Sequence, residues 1–231
     1  MANQFKGFKP SFYKFFTELS DNNNREWFTE NKPRYREQVI NPLVDFITDI
    51  APRLEKISKY YVADPRVNGG SIFRIHRDVR FSKDKRPYKE HGACQFRHRM
   101  KNDVHAPGFY VHLDPKEVFF GAGIWVPPSD ALYDIRMGIY ENEKEWIKMK
   151  KSILKSGFFP GIEGDGLKRA PKGFEPDHPQ IEDLKRKSFF AMRKVKISMT
   201  KSPEFIDEVE ATFKAAKPLM KFLTDSLEVP F

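Results

Sequence analysis

Gly108-Phe109-Tyr110-Val111-His112-Leu113-Asp114-Pro115-Lys116-Glu117-Val118-Phe119-Phe120-Gly121-Ala122-Gly123-Ile124-Trp125 is the stretch that sets the fold class. Phe109, Val111 and Leu113 alternate with Tyr110, His112 and Asp114, the period-two pattern of a strand with one apolar and one polar face. Val118 to Trp125 is an apolar run broken only by Gly121 and Gly123. Upstream, Phe96, His98 and Met100 alternate with Gln95, Arg97 and Arg99, and Phe73 and Ile75 with Arg74 and His76. Four strands joined by short turns predict an antiparallel sheet. Val195, Ile197 and Met199 predict a fifth, edge strand.

The flanks change to helical spacing. Phe12, Phe15, Phe16 and Leu19 follow Pro10-Ser11, and Asn residues at 22–24 suit the cap of a second helix at Arg25. Tyr35, Val39, Leu43, Phe46 and Ile50 form a stripe in which Pro42 predicts a bend. Ser129-Asp130 opens a further helical region, Gly161 to Gly173 reads as a loop, and Asp177-His178-Pro179 opens a short helix with Asp177 as cap. Ile206, Val209, Phe213, Ala216, Met220 and Leu223 predict one continuous C-terminal helix capped by Ser202. The fold class is α+β: an antiparallel sheet of about four to five strands covered by N- and C-terminal helices, in a single domain spanning 1–231.

Composition narrows the function classes. The 231 residues include 22 Phe, enough ring area to offset ordering entropy and exclude a disordered chain. No apolar run approaches the roughly 18 residues of a membrane helix, so no membrane partner is expected. The start lacks the apolar stretch of a secretory signal, and the one cysteine, Cys94, excludes an intrachain disulfide. A reducing cytoplasm is the expected location. Cys94 reads as a buried, inert thiol.

The formal net charge of +9 is concentrated. Arg74 to Lys101 holds ten basic and three acidic residues, while the rest of the chain is nearly balanced at 31 against 29. Gly69-Gly70 precedes this segment and permits close backbone approach to an anion. Arg74, Arg77, Arg80, Lys85, Tyr88, Lys89 and Arg97, with Gly69 and Gly70, are the candidate ligand-binding residues, because Arg and Lys match phosphate and carboxylate oxygens. His112 and Asp78 are the candidate acid/base pair, His112 because a strand imidazole stands beside Tyr110 and Asp114. Against this stands an ion-pair reading, favoured about two to one for Asp78 and Asp84, in which the acids fasten a long turn. Arg74, Arg97 and His112 cluster only if strand register puts them on one face. The five histidines His76, His91, His98, His105 and His112 lack metal-binding spacing, so no metal is assigned, and no cofactor is implied.

The stretch R-D-V-R-F-S-K-D-K-R-P-Y-K at Arg77 to Lys89, preceded by G-G-S-I-F-R-I, resembles an uncharacterised bacterial and fungal family catalogued as domain of unknown function 2461. N-N-N-R-E-W-F at Asn22, P-G-F-Y-V-H-L-D-P at Pro107, G-A-G-I-W-V-P at Gly121 and P-K-G-F-E-P-D-H-P-Q-I-E-D-L-K at Pro171 are similar to the same family, in the same order. The resemblance implies a single domain of about this size and implies no reaction. From the residues, the leading reading is binding of a phosphate-bearing or other anionic small ligand, with phosphoryl or ester hydrolysis as the reaction class for an enzyme. Nucleic-acid binding, with Phe81 or Tyr88 stacking on bases, and docking of an acidic partner are the alternatives.

Overall fold

The structure, a computed structural model, describes residues 4–100 and 107–231; Lys101 and His105, counted above among the basic and imidazole side chains, lie outside them. Helix α1 (Pro10–Asp21) starts with proline in its first turn and buries Phe12, Phe15, Phe16 and Leu19. Asn24 caps α2 (Arg25–Glu30), its side chain accepting from the Trp27 amide at 2.9 Å. Helix α3 (Lys32–Tyr35) runs through a π-helical turn (Arg36–Ile40) into α4 (Asn41–Ile57). Pro42 therefore sits in the first turn of α4, directly after the π-helical turn. The widened turn before it accommodates the missing amide and the ring that would crowd the carbonyl four residues back.

The sheet is an antiparallel meander in the order β1 (Tyr61–Val62), β2 (Gly92–His98), β3 (Gly108–Leu113), β4 (Val118–Ile124), β5 (Phe189–Val195). The class is α+β. Between β4 and β5 lie α5 (Ser129–Glu141), α6 (Glu143–Lys155) and α7 (Ile181–Leu184); a 3₁₀ helix (Ile197–Lys201), α8 (Phe205–Ala215) and α9 (Lys217–Ser226) follow. Cys94, Phe96, Phe109, Val111, Phe120 and Phe189 point to one face and are fully buried. Helix rings meet them there: Phe213 lies 4.6 Å from Phe109, Phe205 5.4 Å from Phe120 and Trp146 6.0 Å from Phe189.

Four expectations are corrected. Residues 73–76 form no strand. The chain makes isolated bridges, Ile72 to Cys94 at the edge of β2 and His76 to Tyr88 in the segment before it. The core takes Ile72 and Ile75, three apart, which a period of two cannot supply, and Phe73 turns to the sheet's other face. The fifth strand starts earlier than expected, because Phe189 and Ala191 pair with Ile124 and Ala122 and bury, leaving Ile197 and Met199 to the 3₁₀ helix. The C-terminal helix divides at Ala216, since Pro218 starts α9; Ser202 caps neither helix. Helix α7 is preceded by Gln180, with no side-chain cap from Asp177.

Candidate functional site

The register builds the site. β2 and β3 pair Gly92 with Leu113, Ala93 with His112, Gln95 with Tyr110 and Arg97 with Gly108. Odd positions of β2 and even positions of β3 therefore share the face opposite the core. Continued one step past the ladder, the register sets His91 across from Asp114, diagonal to His112. β4 adds Phe119 opposite His112. Arg97, Tyr110, His112, His91 and Asp114 thus lie on one face. Phe73, arriving from the edge, meets the Tyr110 ring at 6.0 Å.

The imidazoles of His91 and His112 stand 4.3 Å apart between centroids, and His112 stacks on Phe119 at 4.4 Å. The Tyr110 hydroxyl is 3.0 Å from His112 Nδ1. Burial pushes His112 down to about 4. Burial, then the neighbouring His112 and Lys89, pushes His91 down to about 4. Both rings are neutral at pH 7. Burial also raises the Tyr110 phenol, so its hydroxyl stays protonated. Asp114 Oδ1 accepts from the Lys116 amide at 2.7 Å, which fixes the carboxylate at the β3–β4 turn.

Lys89 enters the same region. Its amide donates to the Ile75 carbonyl, its ammonium to the Arg74 carbonyl at 2.9 Å, and it sits 5.1 Å over the Phe73 ring. Burial, then the nearby Arg74, lowers its pKa. Among the described residues no carboxylate pairs with Lys89 or Arg74.

The other sequence-named residues are placed elsewhere. Asp78 accepts two bonds from the Arg80 guanidinium, holding its carboxyl down at about 2, and no contact joins it to His112. Arg77 donates to Asp84 at 2.8 Å, and Arg86 spans Asp84 and Glu90. The Lys85 ammonium donates to the Val79 and Arg80 carbonyls. Tyr88 is buried, stacked on Phe28 at 4.2 Å, and its backbone is held on both sides by the Asn23 side chain. The turn chemistry of 77–90 is thus an ion-pair network docked on the Asn22–Phe28 motif. Gly70 approaches the Arg66 and Asp64 carbonyls so closely that a Cβ would lie 2.2 Å from one of them. The Asp64 and Arg66 carbonyl oxygens crowd that side of Gly70. Gly69, at φ +75°, turns the chain in open space.

His98 is fully buried and bonded to the Pro230 carbonyl at 2.7 Å. Cys94 is completely buried, and burial pushes its thiol up. Two surface clefts open elsewhere, one containing Asp49, Arg53 and Asp207, the other Glu37 and Asp45; neither includes a residue of the polar sheet face.

A family model described as conserved hypothetical protein (DUF2461) matches residues 11–222. The chain belongs to that family. The match runs from α1 into α9, so it covers the sheet, the docked turn and the polar face together. No curated protein and no solved structure matches the chain. No helix among the described residues is long and apolar enough to cross a membrane. His91 is the site residue that reading along the chain missed, and Asp114 was read there only as a neighbour of His112. The signal that finds His91 is the register sum of β2 and β3, which requires the pairing to be known.

Proposed function

We propose that this DUF2461 protein binds a phosphate-bearing or other anionic small ligand on the polar face of its sheet, where Lys89 and Arg74 meet the Tyr110–His112–His91 cluster. The observation that carries this reading is Lys89. It is a half-buried cation with a carbonyl and an aromatic face for partners and a second cation beside it. Placing an ammonium there without a counter-ion costs free energy that an incoming anion recovers. Arg97 on the same face extends the cationic rim. Hydrolysis of an ester in the bound ligand is the reaction class we attach to the site, because imidazole and phenol groups adjoin the cations. Arg77, Arg80 and Lys85 support the turn instead of contacting the ligand. We place the protein in the cytoplasm, as its single buried thiol suits.

The test is a thermal-shift titration with inorganic phosphate and a nucleoside monophosphate in the presence of a chelator. The wild-type chain is expected to gain several degrees, and an Arg74→Gln, Lys89→Gln chain to lose that gain. An equal gain in both chains rules the reading out.

One observation favours nucleic-acid binding as a second reading. Phe81 is 96% exposed at the tip of the turn, with the Arg80 guanidinium 5.9 Å from its ring. An exposed ring between cations suits base stacking, whereas the buried Tyr88 does not.

A further inference from the structure

His91, His112 and Asp114 each offer one ligand atom, and these three atoms lie within 4.8 Å of one another. The sequence hides the set because His91 precedes β2 while His112 and Asp114 sit on and just beyond β3. Antiparallel pairing alone assembles it, placing two same-face neighbours of one strand against the residue opposite. We infer that the set is a divalent transition-metal site, with His91, His112 and Asp114 as its three protein ligands.

The donor chemistry fits that class. Two imidazole nitrogens and one carboxylate oxygen suit zinc, iron, cobalt or manganese, and a three-ligand set leaves positions open for water or a second ligand. Ligand atoms at about 2.1 Å from a common ion stand about 3.0 to 3.4 Å apart, so the set closes by no more than about 1.8 Å when loaded. Side-chain rotation of His91, which has no hydrogen bond holding its ring among the described residues, supplies that. The outer groups are those a metal site needs. Tyr110 engages His112 Nδ1 and leaves Nε2 to face the ion. The Lys116 amide holds Asp114 Oδ1 and leaves Oδ2. Phe119 packs flat on the His112 ring and fixes its plane.

A purely structural cluster would pair these groups with each other. It does not. Among the described residues neither nitrogen of His91 has a hydrogen-bond partner, and no hydrogen bond links either imidazole to Asp114. Two half-buried rings and a carboxylate bring one ligand atom each within 4.8 Å of the others.

The inference also deepens the anion-binding reading, and this part rests on it. Lys89 lies over the Phe73 ring, which meets Tyr110, the partner of His112, so a cation entering the set feels the repulsive field of the ammonium. A phosphate oxygen bridging the ion and Lys89 removes that repulsion. Metal and anion then bind cooperatively, each strengthening the other by the same factor.

The experiment uses the full chain, stripped with EDTA and dialysed. Cobalt(II) is titrated and followed by its visible d–d absorption, and zinc(II) by calorimetry, both without phosphate. One equivalent is expected. His91→Ala and Asp114→Asn are each expected to weaken binding at least tenfold, and Tyr110→Phe about tenfold through the lost support of His112. A His76→Ala, His178→Ala chain, lacking two imidazoles outside the set, is expected to bind as wild type. Chemical denaturation of each variant shows that it folds, and if His91→Ala does not, Asp114→Asn carries the comparison. Absence of d–d bands in the wild-type chain overturns the site. So does unchanged affinity in folded His91→Ala and Asp114→Asn chains. A chain that binds cobalt but no phosphate keeps the metal site and refutes the anion site; one that binds phosphate under chelator but no cobalt does the reverse. Phosphate added to the cobalt titration is expected to tighten it severalfold, and no change overturns the cooperativity.

Discussion

Asp183 shows what one side chain contributes when its partners are fixed. Its side chain is 9% exposed. It accepts from the Trp146 indole at 2.8 Å, the Lys150 ammonium at 2.6 Å and the Arg186 guanidinium at 3.0 Å. Burial alone would raise its carboxyl, but the bonds from Lys150, Trp146 and Arg186 outweigh it and hold the pKa below the usual range. Removing the acceptor leaves a buried indole N–H and two cations without their partner. Asp183→Ala is therefore expected to cost about 3 to 5 kcal/mol in urea denaturation at pH 7. Asp183→Asn, which keeps an acceptor for Trp146, should cost less. The pH dependence has a definite sign. The folded carboxyl binds its proton less tightly than the unfolded one, so the contribution is whole above the unfolded value of about 3.9 and lost as pH falls through the lower folded value. The stability gap between wild type and Asp183→Asn should shrink from pH 5 downward, and a gap unchanged at pH 2.5 would contradict this account. Asp78 and Asp84 form equally short contacts with Arg80, Arg77 and Arg86, yet they are exposed, and solvent screens such pairs. Neutralising either should hardly move the unfolding midpoint.

The strand β4 carries the sheet at the scale of elements, and its glycines explain what the amino-acid pattern could and could not reveal. A Cβ on Gly121 would stand 2.0 Å from the Ala191 carbonyl oxygen on β5, so the two backbones touch only because no side chain intervenes. Gly121→Ala is expected to destabilise the chain by about 3 kcal/mol, since the ladder must open to admit the methyl group. Loss of amide-exchange protection along β5 would report it locally, and unaltered protection would argue against the contact. β3 and β4 were legible because alternation and an apolar run are local properties. β5 was legible only in part, because its burial depends on pairing with β4, a distant segment. The strand expected at 73–76 failed for the same reason in reverse: alternation was present, but the edge of β2 buries Ile72 and Ile75 and turns Phe73 outward. The break at Pro218 was visible as a residue but masked by an unbroken apolar stripe. His112 was legible beside Tyr110 and Asp114, whereas its association with His91 exists only in the register.

For the molecule as a whole, the uneven charge becomes a statement about two surfaces. Asp78, Asp84 and Glu90, the three acids of the basic segment, pair with Arg80, Arg77 and Arg86, and the turn they fasten projects Phe81 beyond them. Lys89 and Arg74 lie at its base, next to the polar sheet face. A small anion meets the base alone; a polynucleotide must meet the turn as well. Salt separates the two. A ligand held by one or two cations loses little affinity as salt rises, whereas a single strand neutralised at Z phosphates falls with a slope of about −0.7Z in log-log form. On the small-ligand reading, a nucleoside monophosphate should bind with a shallow slope, and Arg80→Gln with Phe81→Ala and Lys83→Gln should leave that binding unchanged. Lys89→Gln should abolish it. Fluorescence anisotropy with a short labelled single strand supplies the contrast. Tight binding of the strand, a steep slope and its loss in the turn variant, together with no monophosphate binding, would move the function from the sheet face to the turn.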